Sequence, residues 1–419
     1  MLIPLMLAVA ACNIEVPDPE PGTSYDDFSR VELASKVEGV QPFTGIVLWT
    51  DNARVSSYGV QLEFSYMLYN DVCKEKDKYD WSVVDKLLDK IASRGHQAVL
   101  RFRYTYPGYS CAVPDYIKAL SDYEATNGKS EGRKTEFPDW RCAELQRFHK
   151  EFHRLFAERY DKDPRLAYLE TGFGLWAEYH IYDGPFVLGK TFPSKEFQKE
   201  FIAAMDGWFV HTPWLISIDA AESKYGPFQQ SPGLLDGKFG NFDDSFMCDE
   251  HDEYNARNWS FFGTERYKRA PFGGEFSYYE DYDQKHCLDP QGIYGRRFED
   301  EVSRYHMSFI IGNDQPVYQS RERIMEASMS MGYRFEVLEF KVKRGTGSAV
   351  HVRNSGVAPI YHDAFMCSGG VRSDYNLRQL MPGEDVWVFI ADKNVAEAPD
   401  LSIACDRLVS GQKIGFDAP

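Results

Sequence analysis

Apolar and polar residues follow two different periods along this chain, and the change of period divides it near residue 333. Before that point, short apolar runs such as FTGIVLWT and LAYLE alternate with amphipathic helical patterns such as ELQRFHKEFHRLFAERY. Apolar strands that alternate with helices are typical of a parallel sheet. After that point, apolar and polar residues alternate singly in short runs broken by Gly, Asn and Pro, which predicts an antiparallel β-sandwich.

Eight strand segments can be counted before the change of period, so we predict an α/β fold of the (β/α)8 TIM barrel type. The barrel would occupy residues 41–333, and the small antiparallel sandwich would occupy residues 334–419. We expect the barrel strands at 43–50, 60–68, 97–108, 166–170, 213–219, 239–247, 270–279 and 307–313.

The first residues, MLIPLMLAVAAC, have the pattern of an export signal that ends in a lipobox. Small residues precede Cys12, which would carry the lipid, and the apolar run is too short to span a bilayer. We therefore expect residues 1–12 to be a lipoprotein signal and residues 13–40 a Pro-rich tether. The protein would be an exported outer-membrane or periplasmic lipoprotein that meets the membrane only through its anchor; the alternative is a plain secreted protein.

Seven cysteines remain when Cys12 is set aside, and export would place them in an oxidising compartment where disulfides are the default. Pairing within regions predicts three disulfide bonds and one free thiol at Cys73. The expected bonds are Cys111–Cys142, Cys248–Cys287 and Cys367–Cys405.

Charge and composition narrow the classes of function. The net charge is −17, the pI is about 5.1 and no Lys/Arg-rich stripe occurs, so nucleic acid and anionic membranes are poor partners. No phosphate-binding Gly-rich loop and no GxSxG elbow occurs, and we expect neither a cofactor nor a metal. Aromatic residues make up 15% of the chain, which suits a carbohydrate-binding cleft on a monomer or weak oligomer.

Two glutamates follow predicted barrel strands and are surrounded by glycine and aromatic residues. Glu178 lies in GLWAEYH after the fourth strand, and Glu275 lies in PFGGEFSYY on the seventh. Active sites of such barrels lie at the carboxyl ends of the strands. Retaining glycoside hydrolysis needs one protonated and one ionised carboxyl about 5 Å apart. We therefore predict that Glu178, desolvated by Trp176 and Tyr179, is the acid and Glu275 the nucleophile.

Arg101 and Arg103 alternate on the third strand and share one face. Two arginines inside a barrel need carboxylates or an anionic ligand. The sequence supports two roles for these arginines equally. They could form a structural ion pair with Glu170 or Glu63, or they could hold the nucleophile or a sugar substituent. We predict that at least one of them approaches Glu275, whose pKa a cation would keep low, or the sugar-binding subsite. Replacing that arginine with Met should lower kcat by orders of magnitude and spare the fold. The other candidate sugar-binding residues are Asn70, Trp176, His180, Tyr182, Asp244, Tyr278 and His306.

Two further patterns invite a metal interpretation, and the sequence favours neither. The acidic run FDDSFMCDEHDEYN offers Asp243, Asp244, Asp249 and Asp252 to a calcium ion, but its spacing matches no EF-hand. A solvated loop is favoured, with Asp243 or Asp244 facing the cleft as the alternative. The pair His149 and His153 lies in HKEFH, which does not match HExxH, so we expect exposed helix residues.

These motifs together resemble the bacterial barrel proteins known as domain of unknown function 4832. The matching segments are YDWSVVDKLLDKIASRG, LRFRY, RYDKDPRLAYLETGFGLWAEYH, GGEFSYY, RYHMSF and VRNSGVAPIYHDAF, within about residues 42–392. Such proteins are similar to clan A glycoside hydrolases, including the family 42 β-galactosidases. The resemblance implies Glu178 as acid/base and Glu275 as nucleophile. One departure is Ala177, where the clan has an Asn that holds the sugar 2-hydroxyl.

The sequence thus predicts a lipid-anchored retaining glycosidase, β-galactosidase-like, that cleaves poly- or oligosaccharides such as galactans. The two arginines extend this expectation to acidic or sulfated sugars, as in algal galactans. The alternative is a non-catalytic glycan-binding lipoprotein of a polysaccharide-utilisation system, which would tolerate the loss of either glutamate.

Overall fold

Eight parallel strands close into a barrel in the computed structural model, which describes residues 25–419. The strands follow one another around the barrel in chain order, so the predicted TIM barrel and all eight predicted strand positions are confirmed. Numbered along the whole chain, they are β2 (Gly45–Trp49), β3 (Leu62–Leu68), β6 (Gln97–Arg103), β9 (Leu166–Thr171), β10 (Trp214–Ser217), β11 (Gly240–Phe246), β12 (Phe272–Phe276) and β13 (Phe309–Ile311).

Helices surround the barrel. The α-helices are α1 (Tyr69–Val72), α2 (Ser82–Ala92), α3 (Asp115–Lys118), α4 (Ala143–Tyr160), α5 (Lys195–Trp208), α6 (Asp252–Phe262), α7 (Asp281–His286), α8 (Phe298–Tyr305), α9 (Gln315–Tyr318) and α10 (Arg321–Met329). Single turns of 3-10 helix lie at Ile218–Ala221, Pro232–Asp236, Arg266–Lys268 and Leu377–Gln379. Two hairpins extend loops of the barrel: β4 (Cys73–Glu75) with β5 (Lys78–Tyr79), and β7 (Thr126–Ser130) with β8 (Arg133–Phe137).

Helix α4 shows why the expectation of exposed histidines was wrong. Phe148, Phe152 and Phe156 repeat every four residues and turn this face of the helix toward the barrel. His149 and His153 lie on the same buried side, where the His149 Nδ1 is 3.0 Å from the Tyr104 hydroxyl. Burial lowers the pKa of His153 to about 4, so both rings are neutral packing residues.

The C-terminal region forms two sheets, mostly antiparallel as predicted. One contains β14 (Phe335–Lys343), β15 (Gly347–Asn354), β18 (Asp385–Ala391) and β20 (Phe416–Asp417); the other contains β16 (Phe365–Ser368), β17 (Val371–Asn376) and β19 (Leu401–Ala404). Strand β1 (Ser29–Arg30) pairs antiparallel with β14. The described part of the expected tether is therefore not a free linker, because it adds an edge strand to this sheet.

The barrel interior continues into the core of the C-terminal sheets. Inward-facing rings of the barrel, such as Phe64, Phe242 and Phe309, belong to one apolar cluster with Phe335 and Val350 of the sheets. Arg407 spans the boundary and donates hydrogen bonds to the carbonyls of Asp161 and Leu166 and to the Thr212 hydroxyl. These contacts close the amino-terminal end of the barrel, so the candidate chemistry lies at the opposite end.

The predicted signal, with Cys12, lies outside the described residues. Within residues 25–419 no helix combines the length and apolar character needed to cross a membrane.

The three predicted disulfide bonds are absent, since all seven cysteines of the described chain are free thiols. The register of β16 and β19 explains one case. Cys367 pairs with Ser402, whereas Cys405 lies three residues further along, at about 3.3 Å per residue. That offset exceeds the span of a disulfide bond. Five of the seven thiols, at Cys73, Cys111, Cys142, Cys248 and Cys287, are buried.

Candidate active site

The loop after β9 is a tight turn that presents Glu178. The Glu178 amide donates a hydrogen bond to the Leu175 carbonyl at 2.9 Å, and the two residues between them, Trp176 and Ala177, have φ angles of 54° and 60°. Left-handed backbone at two successive residues that are not glycine is uncommon. Such strain is found mostly at functional sites, where the surrounding structure maintains it.

Two glycines let this turn fold back against its own strand. A Cβ atom at Gly172 would lie 2.1 Å from the Ala177 carbonyl oxygen, and one at Gly174 would lie 1.9 Å from that of His180. Neither distance is possible for a real side chain. The glycines of GFGLWAEYH therefore determine where Glu178 and His180 lie.

Glu178 is buried, with 8% of its surface exposed, and has two polar neighbours. His180 Nε2 lies 3.0 Å from its Oε2, and Arg101 Nη1 lies 4.0 Å from its Oε1. Burial raises the pKa of Glu178 to about 7, the charge of Asp244 adds to this effect, and His180 opposes it. The predicted desolvation of this carboxyl is therefore present, and it favours the protonated form.

Arg101 lies at the centre of the cluster and points into the barrel. It donates hydrogen bonds to Glu170 on β9 and to Asp244 on β11, and its guanidinium lies 4.2 Å from the centre of the Phe242 ring. The ion pair with Glu170 is one of the two predicted alternatives. Glu63 instead pairs with Arg94 and His96. Asp243 and Asp244 lie on the barrel strand β11, so the favoured interpretation of a solvated loop is wrong for these two residues. The binding of Asp244 to Arg101 fits the alternative, in which it faces the cleft.

Glu275 is half-buried on β12 and belongs to the same electrostatic cluster. The preceding glycines are again required, because a Cβ atom at Gly274 would lie 2.1 Å from the Asp243 carbonyl oxygen. Burial raises the pKa of Glu275 well above its usual value, and the charges of Asp244 and Glu178 raise it further, while Arg101 opposes them. The expectation that an arginine keeps this pKa low was therefore wrong: Arg101 gives its hydrogen bonds to other carboxylates.

Aromatic residues border the cluster at the barrel mouth. Tyr182 is 59% exposed, and its ring stacks at 6.1 Å on Trp176, whose ring lies 6.0 Å from that of His180. Tyr278 is 52% exposed and near enough to Glu275 for the carboxylate to raise its pKa, although burial is the larger cause. Arg103 lies among tyrosine rings on the same side.

His306 was wrongly placed at the site by sequence reasoning. It ends α8 in a left-handed conformation, stacks at 3.5 Å on Tyr267, and its Nδ1 is 2.6 Å from the Val357 carbonyl of the C-terminal region. It lies before β13 and therefore at the amino-terminal end of the barrel. Asn70 does lie at the mouth end, in α1 directly after β3, and its Oδ1 is buried without a hydrogen-bond partner.

The four aspartates considered for calcium do not converge. Asp243 accepts hydrogen bonds from Ser245 and Asp244 binds Arg101, whereas Asp249 and Asp252 pair with Arg296. Within residues 25–419, the one group that could hold a metal ion is Glu178, His180 and Asp219, whose ligand atoms lie within 4.8 Å of one another. Burial alone would lower the pKa of His180, but Glu178 and Asp219 raise it to about 9. A metal ion at this group would have to compete with the proton of the imidazole.

Sequence reasoning missed Asp219 and Tyr66. Asp219 follows β10 and accepts hydrogen bonds from Ser217 and from the Tyr254 hydroxyl. Its position at the end of the strand WLIS was the available signal. Tyr66 on β3 pairs in register with Arg101, and its ring lies 5.7 Å from that guanidinium.

Comparisons with known proteins give fold-level likeness only. No protein-family model matches the sequence, and no curated protein sequence matches it significantly. Solved structures that resemble the chain include the catalytic domain of a β-amylase from Paenibacillus polymyxa, with a TM-score of 0.45 and 10% identity over 70% of this chain and 99% of that one. For a GH5_18 protein from Streptomyces cattleya in complex with GlcNAc, the TM-score is 0.40 and the sequence identity is 9%, with 65% of this chain and 70% of that chain covered. For an α-galactosidase from Thermus thermophilus, the TM-score is 0.39 and the sequence identity is 13%, with 76% of this chain and 66% of that chain covered.

Proposed function

We propose that this protein is a glycoside hydrolase that cleaves β-glycosidic bonds in poly- or oligosaccharides with retention of configuration. One observation carries the proposal. Glu178 after β9 and Glu275 on β12 belong to one electrostatic cluster at the mouth of the barrel, where the charge of Glu178 raises the pKa of Glu275. Strands four and seven are the positions that the resemblance to clan A hydrolases implies for the two catalytic carboxyls.

Glu178 suits the role of general acid. Its pKa of about 7 lets it hold a proton at neutral pH and release it to the leaving oxygen, as efficient acid catalysis requires. His180 binds one of its two carboxyl oxygens and so restricts its rotation. After the first step the ionised carboxylate would accept a proton from the attacking water.

Glu275 would form the covalent bond to the sugar. The charge of Glu178 raises the pKa of Glu275. Because the coupling between two titrating groups is reciprocal, ionisation of one favours protonation of its partner. A pair that shares one proton is the state that double displacement needs. The predicted separation of about 5 Å, the β-galactosidase-like specificity and the galactan substrate are parts of this proposal.

The mouth offers surfaces that suit sugars. The exposed ring of Tyr182 stacks on Trp176 close to Glu178, and Tyr278 lies beside Glu275. Aromatic faces pack against the C–H faces of pyranose rings and so support a carbohydrate ligand. Together with the export signal expected in residues 1–12, they support an exported protein that acts on polysaccharide fragments.

Two other functions compete with this proposal. A glycan-binding protein without turnover would use the same aromatic mouth. A metal-dependent hydrolase would use Glu178, His180 and Asp219 as ligands, and the short distances among them favour it as the second candidate. The raised pKa of His180 means that a metal ion would have to displace its proton.

The test is a screen of the purified protein against β-linked galactans and aryl β-glycosides. Early products are analysed by proton NMR for the configuration of the new reducing end. Glu178→Gln and Glu275→Gln are compared with Glu200→Gln, which changes a 64% exposed glutamate of α5 that pairs with Lys150. We expect about a 10³-fold loss of kcat in the two site variants and none in the control.

The leaving group separates the two roles. A dinitrophenolate leaves without protonation, so Glu178→Gln should retain much of its first-step rate on a dinitrophenyl glycoside, whereas Glu275→Gln should lose it. Turnover that survives both substitutions contradicts the proposal. Binding without turnover in the wild type would favour the glycan-binding protein, and inactivation by EDTA with recovery on adding a divalent ion would favour the metal-dependent hydrolase.

A further inference from the structure

The two arginines of β6 differ in how their charges are compensated. Arg101 is fully buried and bound to Glu170 and Asp244. Arg103 is half-buried, and within residues 25–419 no carboxylate, hydroxyl or carbonyl accepts a hydrogen bond from it; its Nε is buried without a partner. The nearby acid Asp71 forms its salt bridge with Lys74, at 3.6 Å. Buried donors are rarely left without an acceptor, so this guanidinium has capacity for a ligand.

Tyrosine rings surround Arg103 on several sides. The centres of the Tyr106, Tyr109 and Tyr66 rings lie 4.5, 5.7 and 5.8 Å from its guanidinium carbon. Tyr109 is 58% exposed, so this cage opens toward the barrel mouth. The rings hold the guanidinium through cation–π contacts and leave its N–H groups unused.

The cage is connected to the catalytic glutamates by direct ring contacts. Tyr106 meets Trp176 at 6.3 Å, and Trp176 meets His180, which is bound to Glu178. Two residues along a strand cover roughly 6.6 Å, so Arg103 lies about that far beyond Arg101 toward the mouth. This is close to the length of one sugar unit.

We propose that Arg103, with Tyr66, Tyr106 and Tyr109, forms a subsite for an anionic substituent, a carboxylate or a sulfate ester, on the sugar next to the cleavage point. This inference rests on the proposed glycosidase function and specifies its substrate class. A guanidinium donates two parallel hydrogen bonds to an oxyanion, and the rings exclude water from them. Arg101 cannot serve, because two carboxylates already bind it. The other charges of the cluster are mainly carboxylates, which repel an anion, so Arg103 is the favoured position for one.

The test compares wild type, Arg103→Met, Arg103→Lys and a matched control, Arg304→Met. Arg304 also stacks on a tyrosine, with its guanidinium 5.0 Å from the Tyr305 ring, but it lies on the outer helix α8. The probes are a sulfated galactan with its chemically desulfated form, and a β-linked polyglucuronate with its carboxyl-reduced form. Hydrolysis is measured as kcat/KM from reducing ends, and binding by affinity gel electrophoresis.

We expect the wild type to prefer one charged polymer over its neutral form by about tenfold or more, because hydrogen bonds to charged groups are strong. The preference should decrease at 0.5 M NaCl. Arg103→Met should abolish the preference for the charged polymer, with Arg103→Lys intermediate and Arg304→Met like wild type. The polymer pair that shows the preference identifies sulfate or carboxylate.

The inference is overturned if the wild type shows no preference for a charged polymer, or if Arg103→Met lowers activity equally on both members of a pair. If the wild type hydrolyses no polymer, the proposed function fails, and the binding measurements still decide the subsite. Circular dichroism shows whether Arg103→Met folds. If it does not, the inference is tested by the preference of the wild type for a charged polymer and by the reduction of that preference in Arg103→Lys. Absence of binding to all four polymers also overturns it.

Discussion

The Arg101 guanidinium binds the Glu170 carboxylate of the neighbouring barrel strand, with Nε and Nη2 at 2.8 and 2.6 Å from Oε2. Both side chains are completely inaccessible to solvent. The two residues are partners in the register of β6 and β9, so the backbone itself brings the charges together. Glu170 keeps one oxygen, Oε1, without a hydrogen bond. The pair therefore depends on Arg101 as the principal partner of a buried carboxylate.

Replacing Arg101 should destabilise the barrel as well as reduce activity. Arg101→Met would leave Glu170 and Asp244 without their cation, and removing one partner of a buried ion pair costs about 3–5 kcal/mol. Urea unfolding followed by circular dichroism measures the loss. Arg304→Met serves as the control, and adding Glu170→Gln to Arg101→Met should restore part of the stability. If Arg101→Met were as stable as wild type, the loss of stability expected here would be contradicted, and the sequence-based expectation that the fold is spared would hold.

His180 should shift the pH dependence of catalysis. Its positive charge lowers the pKa of Glu178, so His180→Asn should raise that pKa above about 7. Activity that needs protonated Glu178 then persists to higher pH, and the alkaline limb of kcat/KM moves upward by a measurable fraction of a pH unit. His306→Asn, which alters a histidine at the other end of the barrel, should leave the profile unchanged. An alkaline limb that moves to lower pH would disprove this role.

The stability of the protein should decrease between pH 6 and pH 9. The pKa of Glu170 and that of Glu178 are each raised to about 7, and that of Asp243 to about 8, mainly by burial. These carboxyls bind protons more tightly in the folded protein than in the unfolded chain. Their stabilising contribution is complete below the unfolded pKa values, near 4, and is lost as the pH rises through 7 to 8.

The melting temperature, measured by scanning fluorimetry across this range, should therefore decrease by a few degrees. Glu178→Gln, which resembles the protonated form, should show a smaller decrease, while Glu200→Gln on α5 should behave as wild type. A melting temperature that rises from pH 6 to pH 9 would be inconsistent with proton uptake by this cluster.

The barrel and the two glutamates could be predicted because their signals are local. Each strand of the barrel is a short apolar run between helical patterns, and Glu178 and Glu275 lie directly at strand ends with glycine neighbours. Asp244 was named only as part of an alternative, because it lies near the end of the sixth strand. The ion-pair partners of the charged side chains could not be predicted, because they depend on how side chains from different strands converge across the barrel. Arg101 has two acceptors, Glu170 and Asp244, from two different strands.

His306 and the disulfide bonds are two cases in which a local sequence signal gave a wrong prediction. His306 lies next to an apolar strand, as Glu178 and Glu275 do, but at the amino-terminal end of that strand. A sequence window does not distinguish the two ends without a defined strand boundary. The disulfide scheme assumed that cysteines close in sequence meet in space. The register of β16 and β19 separates Cys367 from Cys405, which only the sheet itself reveals.

Thiol titration should find free cysteines. Cys111 and Cys287 are buried, and burial raises the pKa of the Cys111 thiol to about 12, so these groups react slowly in the native protein. Denatured protein should release all seven thiols of residues 25–419 to Ellman's reagent without prior reduction. A count that increases by two or more after reduction would show that a disulfide forms after all.

Gly174 provides the sharpest test of how the site is built. A Cβ atom there would lie 1.9 Å from the His180 carbonyl oxygen, which accepts a hydrogen bond from the Leu175 amide in the loop that carries Glu178. Gly174→Ala must therefore push apart the segment that carries both Glu178 and His180, and a shift of about 1 Å at a reacting group can reduce the rate about 100-fold.

Gly207→Ala is the matched control, because its Cβ atom would meet nothing within 4 Å and it lies inside helix α5, where Ala is favoured. We expect Gly174→Ala to lose activity at least 100-fold with a lowered melting temperature, and Gly207→Ala to retain activity and melt at the same or a slightly higher temperature. Equal activity of the two variants would mean that the turn does not position Glu178 for the reaction.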